Sequence, residues 1–366
     1  MAESKKILMI TTGGTIGGKV ADSEVSKATD EGKSAKDFTS RVAPTVESIK
    51  KKWKLDVTID VFSLDNVDSS DILPSHWTKL SKKIKEEYDN YDSFLITHGT
   101  NTLGYTCAAL SFAFENIDKP VVLTGSQVPF GDPGSDALMN LDNAIQIAVY
   151  PYKDTPIKGV IAVFGSHIIT GVRVKKSTEF DYDAFSTFTS SSLGRIGRII
   201  SLDEANLKRH NAYLSKYSNP ALESKTLKLQ NKFDTNIASF TEFPGMSPEL
   251  IKAVVEKSNV KGIILRAFGA GDASTHLRKG FEFLKERRIP IVVTTQAPSG
   301  NSNFQVNEPG QELKDLDLAI PAYNMSIESQ TTKLAWLLGQ KLDYEVIKMK
   351  MVEDLRGEIN VTRDRK

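Results

Sequence analysis

One cysteine, Cys107, stands in a chain of 366 residues. An intrachain disulfide is therefore excluded, and so is a metal site built on paired thiolates. The surrounding Thr106-Cys107-Ala108-Ala109-Leu110 reads as a small core residue among others. No apolar run reaches the roughly 18 residues that a membrane span needs. The start, Met1-Ala2-Glu3-Ser4-Lys5-Lys6, lacks the apolar core of a secretory signal. Net charge is small as well, at +1, so the chain lacks the overall basic balance that binding to nucleic-acid phosphates usually brings. No tandem repeat of solenoid length is visible. An intracellular enzyme or binding protein, without membrane or nucleic acid as partner, is the expectation.

What remains is an ordinary globular composition, 40% hydrophobic and 25% charged, in a chain long enough to split into two domains. Strands and helices alternate. Strands are predicted at Lys6–Thr12, Asp56–Leu64, Ser93–Thr97, Pro120–Thr124 and Gly159–Gly165, with His167–Val174 returning as a hairpin. Between them lie helices at Ala43–Lys52, from Asp71 through the stripe Trp77, Leu80, Ile84, and at Leu103–Asn116 and Asp136–Ala148. Repeated βα units with continuous apolar strands imply a mainly parallel sheet covered on both faces.

The rhythm fails at about residues 203–234, which are polar and weakly periodic and read as an interdomain linker. A second βα series follows, with strands at Ile237–Thr241, Gly262–Arg266 and Pro290–Thr294. Helices at Pro248–Lys257, His276–Arg288, Glu328–Gln340 and Tyr344–Leu355 complete it. The expected organisation is an N-terminal catalytic domain over residues 1–202, a linker over 203–234 and a smaller C-terminal α/β domain over 235–366. Lys19–Arg41 is polar without apolar periodicity and reads as a surface loop, placed to act as a lid on whatever follows the first strand.

Two strand ends carry the chemistry. The first strand runs into Thr12-Gly13-Gly14-Thr15-Ile16-Gly17-Gly18. The third runs into Thr97-His98-Gly99-Thr100-Asn101-Thr102. In open α/β sheets ligands sit beyond the carboxyl ends of the strands, where helix starts leave backbone N–H groups free. The glycine-rich segment also approaches a phosphate loop, with Gly13, four residues, Gly18 and Lys19. Yet Val20 stands where a magnesium-binding hydroxyl belongs. A threonine is a poor nucleophile without a base or cation beside it, and the cluster Arg173-Val174-Lys175-Lys176 offers one. Each feature also has a plain structural reading. Thr100 suits a helix cap, the paired lysines suit a solvated face, and Ser69 and Ser70, between Asp68 and Asp71, suit the start of the helix through Trp77. The five histidines show no metal-ligand spacing, and His98 suits a backbone bond at a strand end.

Thr12-Gly13-Gly14-Thr15-Ile16, Thr97-His98-Gly99-Thr100, and Leu123-Thr124-Gly125-Ser126-Gln127 with Ser135-Asp136 and Asn140-Leu141 together resemble the bacterial-type L-asparaginases, most of all the cytoplasmic type I group. The resemblance extends over nearly the whole chain. It includes Val67-Asp68-Ser69-Ser70-Asp71, Gly171 to Lys176, Asp183-Ala184-Phe185, Gly269-Ala270-Gly271, Thr294-Thr295-Gln296 and Thr331-Thr332-Lys333-Leu334. It implies two α/β domains and hydrolysis of the side-chain amide of L-asparagine to L-aspartate and ammonia, with neither metal nor organic cofactor. It implies Thr15 as nucleophile, Thr100 as the second catalytic threonine and Lys176 as its activator. Ser69 and Ser70 fall where the substrate's α-carboxylate and α-amino ends are held, with Gly14, Gly99 and position 101 beside them. Assembly as a homodimer or dimer of dimers is implied too.

The chain departs from the family pattern at two points. His-Gly-Thr-Asp becomes His98-Gly99-Thr100-Asn101, so a carboxylate expected to bind the substrate ammonium and to pair with the lysine is replaced by an amide. The lid tyrosine of the family is missing, and Phe38 is the one aromatic between residues 17 and 45. Two other readings follow from these departures and from the fold: a non-catalytic amino-acid-binding homologue, and the ammonia-generating subunit of a tRNA-dependent amidotransferase.

Overall fold

The computed structural model describes residues 3–13, 19–20, 26–27, 34–152, 154–216 and 226–360. The chain divides into two compact units, one of Met1–Thr187 with Ser191–Asn231 and one of Phe188–Ser190 with Lys232–Lys366. Each is a helix-covered, mainly parallel sheet.

The first unit is built on strands β1 (Glu3–Thr11), β2 (Leu55–Ser63), β3 (Ser93–Thr97), β4 (Pro120–Thr124) and β5 (Gly159–Phe164). They lie parallel in the order β2-β1-β3-β4-β5. An antiparallel extension, β6 (His167–Thr170), continues the edge into two further short strands, Gly194–Ile196 and Ile200–Leu202. Strand order reverses at β1, and the neighbours β1 and β3 flank the switch point where doubly wound sheets bind ligands. The two strand ends singled out from sequence are therefore neighbours, with Thr11 in register with Thr97.

The apolar runs explain why these strands lie inside. Along β1, Ile7 and Met9 face one layer with Val42, Leu95, Leu141 and Ile145. Leu8 and Ile10 face the other with Leu80, Ile84, Leu103 and Cys107. Alternation of side chains across the pleat buries both sets at once. Cys107 is fully buried, as expected of a small core residue. The layers are supplied by α1 (Ser34–Trp53) and α4 (Ala137–Ala148) on one face, and by α2 (Pro74–Glu86) and α3 (Leu103–Ala113) on the other.

Some elements differ from the sequence expectation. Helix α1 begins at Ser34 rather than Ala43, so part of the stretch read as loop is helical. Pro44, a residue that usually favours a first turn, lies inside this helix. The lid reading of Lys19–Arg41 otherwise falls mostly outside the described residues. The polar region 203–234 contains helix α5 (Glu204–Lys216) and the short strand Lys228–Leu229, paired with Phe114–Glu115. Its apolar contacts are few: Leu207 is one, buried on the sheet face with Ile168 and Leu193. So few leave little periodicity to read.

The second unit has a parallel sheet of Ile237–Thr241, Gly262–Ala267, Ile291–Thr295 and Ile320–Pro321 in sequence order. Around it lie α6 (Pro248–Lys257), α7 (Arg278–Glu286), α8 (Glu308–Asp315), α9 (Ile327–Gly339) and α10 (Tyr344–Val352). Its own core gathers Ile263, Leu265, Phe281, Leu284, Val293 and Phe304. Among the described residues no helix is long and apolar enough to cross a membrane.

Candidate active site

Beyond the carboxyl ends of β1 and β3 the chain is tightly pinned. Thr12 donates twice to the Thr97 carbonyl, through its amide at 3.2 Å and its hydroxyl at 3.1 Å. Gly13 follows with φ +96°, and a Cβ there would meet Val67 backbone atoms at 2.6 Å. Only glycine allows both this conformation and this approach. The Val67 amide donates to the Thr12 carbonyl at 3.1 Å. The segment carrying Ser69 and Ser70 is thus held directly against the end of β1. Asp68 caps a short turn there by accepting from the Ser70 amide at 2.7 Å.

The end of β3 is fixed from behind by a buried relay. The Trp77 indole donates to Thr106 Oγ1 at 3.1 Å, and Thr106 Oγ1 lies 2.9 Å from His98 Nε2. His98 Nδ1 lies 2.7 Å from the Gly99 carbonyl, which can only accept. Nδ1 therefore carries the proton, Nε2 accepts from Thr106, and the imidazole is neutral. Burial holds its pKa down at about 4. The expected structural role of His98 is thereby given a mechanism: it sets the peptide that precedes Thr100.

Thr100 opens a short turn, Thr100–Thr102, that leads into α3. Its hydroxyl is not spent on capping. Thr100 Oγ1 accepts from Lys176 Nζ at 3.0 Å. Lys176 arrives from β7 (Val174–Lys176), which pairs antiparallel with β8 (Phe185–Thr187). Asn101 Oδ1 lies 3.2 Å from the same ammonium, and Asn101 Nδ2 donates to Ser70 Oγ at 3.0 Å. The ammonium has no acceptor, so the amide must turn its oxygen to Lys176 and its NH2 to Ser70. Thr102 Oγ1 closes the other seam by donating to the Ser69 carbonyl at 2.6 Å. Ser69 is buried and Ser70 exposed. Neither serine caps α2, which starts later, at Pro74.

The structure thus brings together Gly99, Thr100, Asn101, Ser69, Ser70 and Lys176. Of the basic cluster at 173–176, Lys176 is the member that reaches Thr100. Gly14 and Thr15 lie outside the described residues; Gly13, the last described residue before them, packs against the Val67 backbone that leads to Ser69 and Ser70. Among the described residues no cluster of His, Cys, Asp and Glu suited to a metal ion occurs.

Sequence reasoning missed one participant. Glu179 Oε2 lies 2.9 Å from Lys176 Nζ. Its spacing of three residues from Lys176 was the available signal, but it falls in a hairpin loop rather than on a helix, so no periodicity flagged it. The framework behind this loop comes from motif residues. Asp136 accepts from the amides of Gln127 and Val128 at 3.0 Å and from Asn140 Nδ2 at 2.9 Å. Gln127 Nε2 in turn donates to the Glu179 carbonyl at 2.9 Å.

The opposite, amino end of the sheet offers a contrast. A cavity of about 350 Å³ opens there beside Lys5, Asp92, Lys119 and Tyr150. Its charges are absorbed by the fold: Lys5 pairs with Glu3 and Asp92, and Lys119 donates to the Tyr88 and Tyr91 carbonyls. At the carboxyl end, by contrast, a lysine contacts a hydroxyl that makes no structural bond among the described residues. Such a pair can lower the cost of forming an alkoxide, and the turn Thr100–Thr102 leads into the positive end of the α3 dipole.

Residues 6–208 match the asparaginase N-terminal domain, and residues 236–351 match the glutaminase/asparaginase C-terminal domain. An L-asparaginase of Thermococcus kodakarensis is 33% identical over 97% of this chain and 99% of its own length. A glutamyl-tRNA(Gln) amidotransferase component from Aeropyrum pernix is 30% identical over 97% of this chain and 80% of its own. The crystal structure of L-asparaginase I from Vibrio cholerae superposes with a TM-score of 0.79 at 32% identity, covering 98% of this chain and 99% of that one. The chain belongs to the asparaginase family of amidohydrolases.

Proposed function

We propose that the protein hydrolyses the side-chain amide of L-asparagine to L-aspartate and ammonia. The observation that carries this reading is the contact of Lys176 with the Thr100 hydroxyl, beside the switch point of a doubly wound sheet. Family membership supplies the reaction class, and the relatives named L-asparaginase supply the substrate.

In this reading Thr15 is the nucleophile. Its hydroxyl oxygen adds to the amide carbon as its proton passes to the Thr100 oxygen and the Thr100 proton passes on to the amide nitrogen. The Lys176 ammonium holds the Thr100 oxygen in place during this relay, the C–N bond breaks and ammonia leaves. Water takes the nucleophile's place, releasing aspartate and restoring the hydroxyl. Gly14 and Gly99 are assigned to substrate binding. Ser69 and Ser70 hold the α-carboxylate and α-amino ends, with the Asn101 amide oxygen as a neutral acceptor beside them. The working form is a homodimer or dimer of dimers in the cytoplasm.

Ammonia release from L-asparagine by the purified protein, beside Thr100→Ala and Lys176→Met, tests the proposal. Release that depends on both residues is the expected result. A second reading has one observation in its favour, the amidotransferase component among the relatives. It requires a partner chain, and copurification of one with glutamine-dependent ammonia release would favour it.

A further inference from the structure

We infer that Glu179 is a positioning residue of this site: it supplies the negative charge that position 101 lacks and holds Lys176 on Thr100. The inference rests on the amidase reading of the site.

The geometry starts from the lysine. An ammonium has three N–H donors. Those of Lys176 are matched by three side-chain acceptors: Thr100 Oγ1 at 3.0 Å, Asn101 Oδ1 at 3.2 Å and Glu179 Oε2 at 2.9 Å. Two of these acceptors are neutral. Among the described residues, Glu179 is the ion-pair partner of Lys176. The Lys176 side chain is 13% exposed, so it depends on its neighbours rather than on water. Without the carboxylate its charge would face only a hydroxyl and an amide, and the amino group would be free to swing off Thr100.

The loop is built to deliver Glu179 to that point. Lys176 stands in register with Phe185, and the Ser177 amide donates to the Ala184 carbonyl at 2.8 Å, closing the hairpin neck. The Phe180 amide donates to Thr178 Oγ1, and Gln127 Nε2 anchors the Glu179 carbonyl. Gln127 is itself held through its amide by Asp136. The backbone on which the carboxylate rides is thus fixed from the end of β4, while the side chain, 70% exposed, turns back to the lysine. Asn101 is oriented by the same arrangement. With its oxygen committed to Lys176, its NH2 reaches Ser70, a bond that a carboxylate at 101 could not donate.

The test moves the charge between the two positions. Glu179→Gln should lower kcat about tenfold, as expected when a charged hydrogen bond is exchanged for a neutral one, with KM changing less. Glu179→Asp should retain part of the rate. Asn101→Asp placed in the Glu179→Gln background should recover most of the loss, because the anion then returns from the other side of Lys176. A purely structural role for Glu179 would not be rescued by a change at residue 101. A Glu179→Gln rate within twofold of the parent, or a loss that Asn101→Asp leaves untouched, would overturn the inference. A readout independent of turnover is the 15Nζ resonance of Lys176, assigned with Lys176→Met. It should shift on Glu179→Gln and return in the double variant; an unmoved resonance contradicts the pairing. A parent that releases no ammonia overturns the proposed function instead, and the resonance still decides the pairing.

Discussion

Two lysines, one in each unit, show how the same side chain is put to different uses. Lys333 on α9 is fully buried against Glu358, also fully buried, and donates to the Met351 and Glu353 carbonyls. Burial pulls the Glu358 carboxyl upward, but Lys333 and the amides of Leu355 and Arg356 hold it below the usual carboxylate range. Every partner is backbone or a fixed charge, so the arrangement ties residues 351–358 to α9 and has no reactive atom. Lys176 has an exposed counter-ion and touches a hydroxyl to which no other bond is seen among the described residues. A structural lysine is saturated by groups that cannot react; Lys176, in the proposed mechanism, is left touching a group that can.

The sharpest way to break this comparison is at Lys333. Lys333→Met leaves Glu358 buried and unpaired, and should cost about 3–5 kcal/mol of stability. Thermal unfolding would report it, with turnover per folded molecule unchanged. Pairing it with Glu358→Leu should return most of the lost stability, since the strain is one uncompensated charge. Lys176→Met should do the reverse. Its expected effect is a fall in kcat of about 10²-fold or more with little change in Tm, the scale of losing a positioned proton donor.

Smaller than these is the effect of acid on the relay behind Thr100. The folded pKa of His98 is about 4, below its ordinary 6.5. The unfolded chain therefore binds the proton first. The stability carried by neutral His98 is complete above about pH 6.5 and is lost as the pH falls toward and through 4, by about 3 kcal/mol in all. His98→Gln should flatten this part of a pH–stability curve measured by chemical denaturation. The smallest expected effect is Asn101→Asp in the parent. A carboxylate there gives the substrate ammonium a charged acceptor and should lower KM about tenfold. It should leave kcat within a few-fold, because Glu179 already neutralises Lys176.

Most of the architecture was legible in the sequence because its strands are continuous apolar runs. Ser93–Thr97, Ile237–Thr241 and the helix Pro248–Lys257 have the bounds that their patterns indicate. The adjacency of Thr12 and Thr97 followed from the rule that chemistry sits at strand ends near the switch point. Less visible were elements held by few apolar contacts. Helix α5 and the short strands Phe185–Thr187, Gly194–Ile196 and Ile200–Leu202 carry little periodicity and depend on tertiary pairing. At the site, Thr100 and Lys176 were found as separate motifs, but their 3.0 Å contact spans 76 positions of chain. Glu179 was missed because its three-residue spacing from Lys176 lies in a loop, where spacing alone does not separate a glutamate facing solvent from one folded back on a lysine.

The proposed chemistry stands most directly on Thr100. Ammonia release from L-asparagine should be measured for the parent and for Thr100→Ala, with thermal unfolding confirming that both are folded. A working Thr100–Lys176 pair predicts release by the parent and a rate lower by about 10²-fold or more in the variant. Equal release by the two proteins, or none from the folded parent, would contradict it.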